Sequence, residues 1–205
     1  MVRPRVWLMG AFGVFCVWHA GDAFLHRAMH QPPGVLAPDP PRQQPPSDPT
    51  PIRLGKYQLV PLADYEITAR LLSRERYRFD RSSDVSPVDF ALGWGPMSDS
   101  LVLDDLDIEQ GVRWFWWSSR ELPIPIETIG NHAANVHLIP ASDSVESDLF
   151  RFRPGQIITL IGRLVSVSSA DGFSWESSLS RSDTGGGSCE VMYVEKAFPR
   201  SAVGR

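Results

Sequence analysis

The chain has 205 residues, of which 42% are apolar and 21% charged, with a formal net charge of −4; this composition excludes a globally disordered chain and allows one domain with a sizeable core. From Ile52 onward 16 basic residues stand against 21 acidic ones, so the basic face that a nucleic-acid partner requires is missing. The two cysteines, Cys16 and Cys189, flank a Pro-rich stretch, which argues against a disulfide framework.

Arg3 and Arg5 precede the charge-free run Val6–Trp18, which extends to Gly21 if His19 is included. Two basic residues before a short apolar run is the layout of a secretory signal, whereas a spanning helix prefers about 20 apolar residues. Cleavage is poorly supported, because the small-x-small pattern is met only at Gly21-Asp22-Ala23. Trp7 and Trp18 bracket the run where indoles favour the headgroup region. A signal-anchor over residues 1–30 is therefore expected, touching the membrane through residues 6–21. The two arginines orient the chain as a single-pass inner-membrane protein with a periplasmic C-terminal domain. The alternative is a cleaved signal and a secreted or periplasmic product.

Nine of the twenty residues from Pro32 to Pro51 are proline. With almost nothing apolar to bury, residues 31–52 are expected to form an extended, disordered tether. The globular domain is expected over 53–197, followed by a flexible tail over 198–205.

Within the domain, Tyr57–Leu62 and Tyr65–Leu71 alternate apolar and polar residues and predict strands. Phe90–Trp94 reads as a strand end, and Ser98-Asp99 as a helix cap, while 98–110 fits neither period. Val112–Trp117 is aromatic and β-prone. Prolines 123 and 125 exclude a central strand or a helix across them. Asp143 and Glu146 predict one helical turn before Pro154-Gly155. Ile157–Val167 is a long strand, Asp171-Gly172 marks a hairpin, and Gly185–Gly187 permits a second reversal into Cys189–Val194, so the last third is expected to be a meander. Six or seven strands with Gly162 inside the longest suggest a mainly β fold: a small OB-like or other closed β-barrel, with a β-sandwich as the alternative, preceded by an N-terminal hydrophobic helix and the Pro-rich linker.

Few residues carry chemistry. On a strand, Trp114 and Trp116 share one face while Phe115 and Trp117 share the other, so the cluster offers a core pair and an exposed pair. Trp114, Trp116 and Trp117 are the candidate ligand-binding residues, although core packing of the aromatics is the favoured reading. The acidic string Asp104–Glu109 lacks the glycine and glutamate positions of a calcium loop. His132 and His137 fall on opposite strand faces with no third histidine in the domain. No metal and no cofactor is therefore assigned. Cys189 is a nucleophile only if a base lowers its pKa, and the favoured reading is a buried, inert thiol.

The order His137, Cys189, Arg200, behind an N-terminal anchor and in a β-barrel domain, resembles the layout of sortase transpeptidases. That resemblance implies Cys189, His137 and Arg200 as an alternative catalytic set for a cysteine transpeptidase or hydrolase. The strings Ala91-Leu92-Gly93-Trp94-Gly95-Pro96-Met97-Ser98-Asp99 and Ser177–Glu190 resemble those of conserved hypothetical bacterial proteins with no assigned activity. This second resemblance spans about residues 57–197 and implies an exported or membrane-tethered setting. The functional expectation is a non-catalytic protein-binding or envelope-assembly module with an envelope protein partner and no nucleic acid. A cysteine enzyme and a glycan-binding module are the alternatives. Oligomeric state is not legible.

Overall fold

Alternate burial of apolar side chains selects strands, and the computed structural model, which describes residues 28–180 and 189–200, is built mainly of them. The strands are β1 (Arg42–Gln44), β2 (Ile52–Leu54), β3 (Tyr57–Arg76), β4 (Val88–Gly93), β5 (Asp107–Gly111), β6 (Trp114–Ser118), β7 (Ala133–Pro140), β8 (Ile157–Ser169), β9 (Ser174–Glu176) and β10 (Glu190–Pro199). Three short helices, α1 (Ser100–Leu103), α2 (Ile126–Asn131) and α3 (Asp143–Arg151), lie between them. The two runs expected as separate strands at 57–62 and 65–71 are one strand, β3. Pro61 stands beside a register shift in its pairing with β8, where a proline is tolerated.

All strands but β5 and β6 belong to one mixed sheet. Its pairings run β3–β4 and β4–β7 antiparallel, β7–β10 parallel, and β10–β8 antiparallel. β8 also pairs antiparallel with β3 from Tyr57 to Arg70, so the path returns to the strand it left. Tyr65, Ile67 and Leu71 of β3 meet Phe90, Val136, Leu160 and Met192 from the other strands in the main core, which Val145, Leu149 and Phe152 complete from the α3 segment.

Gly162 marks an irregularity, as its place in a long strand suggested. A Cβ there would collide with the Tyr193 carbonyl, and β10 shifts register between Val194 and Lys196 beside it. Only the absence of a side chain lets β10 approach this closely.

Several expectations are revised. The last third is not a meander, because β10 pairs with β8 and β7, while the three-residue β9 pairs only with Ser166–Ser168 of β8, on the same edge as β10 and beyond its end. The longer β10 ladder takes positions 158–164 of that edge, and the short return strand keeps only the three that remain beyond it. The helical turn at Asp143 becomes a nine-residue helix, with Ser142 Oγ accepting from the Val145 N–H. The unassigned stretch 98–110 contains α1, capped by Asp99, and then β5.

Residues 28–52, expected in large part as a free tether, contact the domain. Ser98 Oγ accepts from the Leu36 and Ala37 N–H groups, the Gly95 N–H donates to the Ala37 carbonyl, and β1 pairs with β3. A segment with little to bury is held here through its backbone groups and the buried Ala37. The expected tail enters β10 as far as Pro199, and the Arg200 N–H donates to the Ile157 carbonyl. The expected membrane segment lies almost wholly outside the described residues, among which no helix is long and apolar enough to cross a membrane.

Gly162→Ala is expected to cost about 1–3 kcal/mol, as overpacking of a fitted contact does. Urea unfolding checks this: a midpoint unchanged from wild type would show that β10 does not depend on the missing side chain.

Candidate functional site

β5 and β6 are joined by Val112 and Arg113 alone, with register partners Gly111↔Trp114, Glu109↔Trp116 and Asp107↔Ser118. Both linking residues have positive φ, 48° and 67°, so the connection is a type I′ turn whose twist suits a hairpin. Neither is the Gly, Asn or Asp that such turns favour, and the left-handed conformation costs an L-residue about 1–2 kcal/mol. The Arg113 side chain offsets that cost by anchoring the tip.

Arg113 Nε and Nη2 donate to the two Asp80 carboxylate oxygens at 2.7 and 2.8 Å, Nη1 donates to Asp89 Oδ1 at 2.7 Å, and Nη2 also meets the Ser86 carbonyl at 2.9 Å. The guanidinium lies 3.7 Å from the Tyr77 ring centroid, and Tyr77 Oη accepts from the Arg113 backbone N–H. Asn135 Nδ2 donates to the Arg113 carbonyl, while Gln110 Nε2 donates to Asn135 Oδ1. Turn backbone and side chain are thus bound to the same sheet face.

Electrostatics follow from this geometry. Burial pulls the Arg113 guanidinium down, but Asp80 and Asp89 outweigh it and leave its pKa raised. The Arg113 hydrogen bonds hold the Asp80 carboxyl below its ordinary value. Burial pushes the Tyr77 phenol up to about 12.

Asp89 is fully buried on β4, directly opposite His137 of β7. Its Oδ2 lies 2.9 Å from His137 Nδ1, close enough for an ion pair but too poorly aligned for either atom to complete a hydrogen bond. The His137 ring packs 4.4 Å from Trp175, centroid to centroid. Asp89, Asn135 and His137 therefore share the face of β4 and β7 that points away from the main core, and Arg113 covers it.

Cys189 sits just before β10. The parallel register Val191↔His137 sets it beside Asn135, whose Nδ2 is 3.8 Å from its sulfur. The thiol is partly buried and forms no disulfide. His137 is on β7 and Cys189 directly precedes the neighbouring β10, but the His137 Nδ1 edge is turned to Asp89. Arg200 is exposed beyond the far end of β10, about 35 Å along an extended strand from Cys189, and does not join them. His132 stands apart, with Nδ1 2.8 Å from the Thr128 carbonyl. Among the described residues no group of three His, Cys, Asp or Glu is placed to hold a metal.

The aromatic alternation holds. Trp114 and Trp116 are 40% and 47% exposed on the outer face of the hairpin. Phe115 and Trp117 are half-buried on the other face, where Trp117 joins Ile108 against Met97, Leu106 and Ile129. Trp116 Nε1 donates to Glu109 Oε2 at 3.0 Å across the ladder, which fixes the ring. Trp117 is thus a packing residue, and the exposed pair is Trp114 and Trp116.

Asp80, Asp89, Asn135 and Arg113 were not singled out from the sequence. One signal was present: Asp89 is a lone carboxylate in the otherwise apolar run Val88–Leu92, and a buried charge needs a partner. The identity of that partner was not legible. Compared with protein-family models, curated proteins and solved structures, the chain matches none.

Replacing Arg113 by Met leaves Asp89 buried without its cation and is expected to cost about 3–5 kcal/mol in chemical unfolding. Because the folded Asp80 pKa is depressed, its contribution is fully present above the ordinary value of 3.8 and is lost as pH falls below that. The acid limb of the stability profile below about pH 4 should therefore flatten in Arg113→Met, and an unaltered limb would count against the pair. Val112→Asn relieves the positive φ at an exposed site and should gain about 1 kcal/mol, read as a raised melting temperature.

Proposed function

We propose that the protein is a membrane-tethered periplasmic module that works by binding and not by catalysis, presenting the β5–β6 hairpin to an envelope protein. Residues 6–21 hold it to the membrane in this reading, which rests on the basic-then-apolar layout of the N-terminus. The β-domain is read as an OB-like closed barrel. What supports this is the pairing circuit: five strands each have two neighbours, and the third and fifth in chain order, β7 and β10, run parallel. In an OB-like barrel the face of the second and third strands takes the ligand. Here those strands are β4 and β7, and that face is filled by the chain's own Arg113.

The observation that carries the reading is this self-occupation combined with the display of Trp114 and Trp116 on the other side of the same hairpin. The anchored tip costs no further ordering when a partner docks, and two rigid indoles supply contact area at low entropic cost. A photo-crosslinking residue at position 114 or 116 of the full chain in membranes should give a discrete protein adduct. The same residue at the exposed Phe79 should not. Indistinguishable patterns from the two sites would overturn the proposal.

A cysteine enzyme is the second reading, favoured by one observation: Cys189 immediately precedes β10, which pairs in parallel with β7, the strand that carries His137. Alkylation at neutral pH separates the two. A structural thiol labels slowly, whereas rapid labelling lost in His137→Ala would replace binding with catalysis as the proposed activity.

A further inference from the structure

β6 offers more than two rings. β5 lies alongside β3, whereas the ladder to β5 is the main contact of β6, so β6 forms the outer edge of the hairpin. Among the described residues the backbone of 114–118 makes no hydrogen bond outside that ladder. A two-residue turn makes Gly111 and Trp114 a hydrogen-bonded pair, and the antiparallel alternation then sends the N–H and C=O of Phe115 and Trp117 outward. An unpaired edge of this kind is a template for an added strand.

The surroundings select what is added. Asp107 and Glu109 share the exposed face with Trp114 and Trp116. At the open end of the hairpin this face meets a cleft lined by Asp104, Asp105, Asp107 and Glu121, with Arg120 as its one lining cation. Arg113, the cation of the turn itself, has its guanidinium turned into the buried socket and leaves the outer face acidic. Indole faces attract ammonium and guanidinium groups, and carboxylates beside them reinforce the attraction. A sugar would stack on the rings but could not continue the backbone ladder.

We infer that the β6 edge binds an extended basic segment of the partner protein by strand addition, with alternate Lys or Arg side chains lying over Trp114 and Trp116 among the hairpin carboxylates. This rests on the hairpin-docking reading and names the chemistry of its partner. Steering by unlike charges implies binding that weakens with salt.

The test uses the full chain in detergent and a fluorescein-labelled peptide alternating Lys and Thr, followed by anisotropy. Binding is expected, with affinity lowered about tenfold or more by Trp116→Ala, as for an interface anchor. Glu109→Gln should weaken it several-fold and raised salt should weaken it further. A Glu-Thr peptide should not bind, nor should the Lys-Thr peptide with alternate amides N-methylated, since its donors to the β6 edge are gone. Equal binding of the Lys and Glu peptides, no binding of either, or indifference to N-methylation would overturn the inference, as would competition by a chito-oligosaccharide in place of peptide binding. Circular dichroism of Trp116→Ala confirms that a loss is not unfolding, and exposed Trp116 makes unfolding an unexpected result. Should the peptide fail while the adduct at 114 or 116 persists, the hairpin still docks a partner and only the basic-strand chemistry falls.

Discussion

Thirteen paired positions between β3 and β8, from Tyr57↔Ser169 to Arg70↔Ile157, return the sheet to its first long strand. Without that ladder β3 and β8 would each present an open edge. Two local features make the ladder feasible. Pro61 stands next to a register shift, and Gly162 lets β10 press close on the other side of β8. The buried positions of β3, β4, β7, β8 and β10 then converge on one cluster completed by Val145, Leu149 and Phe152.

The hairpin depends on this frame. Asp89 and His137 face each other because β4 and β7 pair in register, and they face away from the core because their neighbours Phe90, Val136 and Leu138 face into it. A fully buried carboxylate is costly to isolate, so the face needs a cation. Arg113 supplies it from the hairpin tip, with Asp80 as a second, more exposed acceptor. The same contact that gives Asp89 Oδ1 its cation holds Val112 and Arg113 in a conformation that their side chains disfavour locally. Charge burial and turn strain are thus settled by one side chain.

This coupling ties structure to the proposed role. A hairpin projecting from a sheet is marginal by itself. Here its inner face packs Ile108 and Trp117 against Met97 and Ile129, and its tip is bound through Arg113, so its outer face is displayed on a fixed support. Trp116 is oriented further by Glu109. Cys189 belongs to the covered side, beside Asn135, and shares the fate of the face that Arg113 closes.

Periodicity made the long strands legible: the alternation in 57–71, the β-prone run at 157–167 and the placing of Trp114 and Trp116 on one face with Phe115 and Trp117 on the other could be read from the order of residues, because a strand projects its side chains with a period of two. The core packing favoured for the aromatics does not hold for Trp114 and Trp116, which are exposed. The mainly β class followed from those strands alone. The partners of the strands were not legible. The parallel ladder between β7 and β10, the confinement of β9 to three positions of β8 beyond the end of β10, and the joining of two expected strands into β3 arise from competition among ladders distant in the chain, which local pattern does not encode. The Arg113 socket was hidden for the same reason, since Asp80, Asp89 and Asn135 are separated by up to 55 positions and only folding brings their polar atoms within hydrogen-bond distance of one turn. A lone carboxylate in an apolar run announces that a counter-charge must come; tertiary structure alone decides which residue brings it.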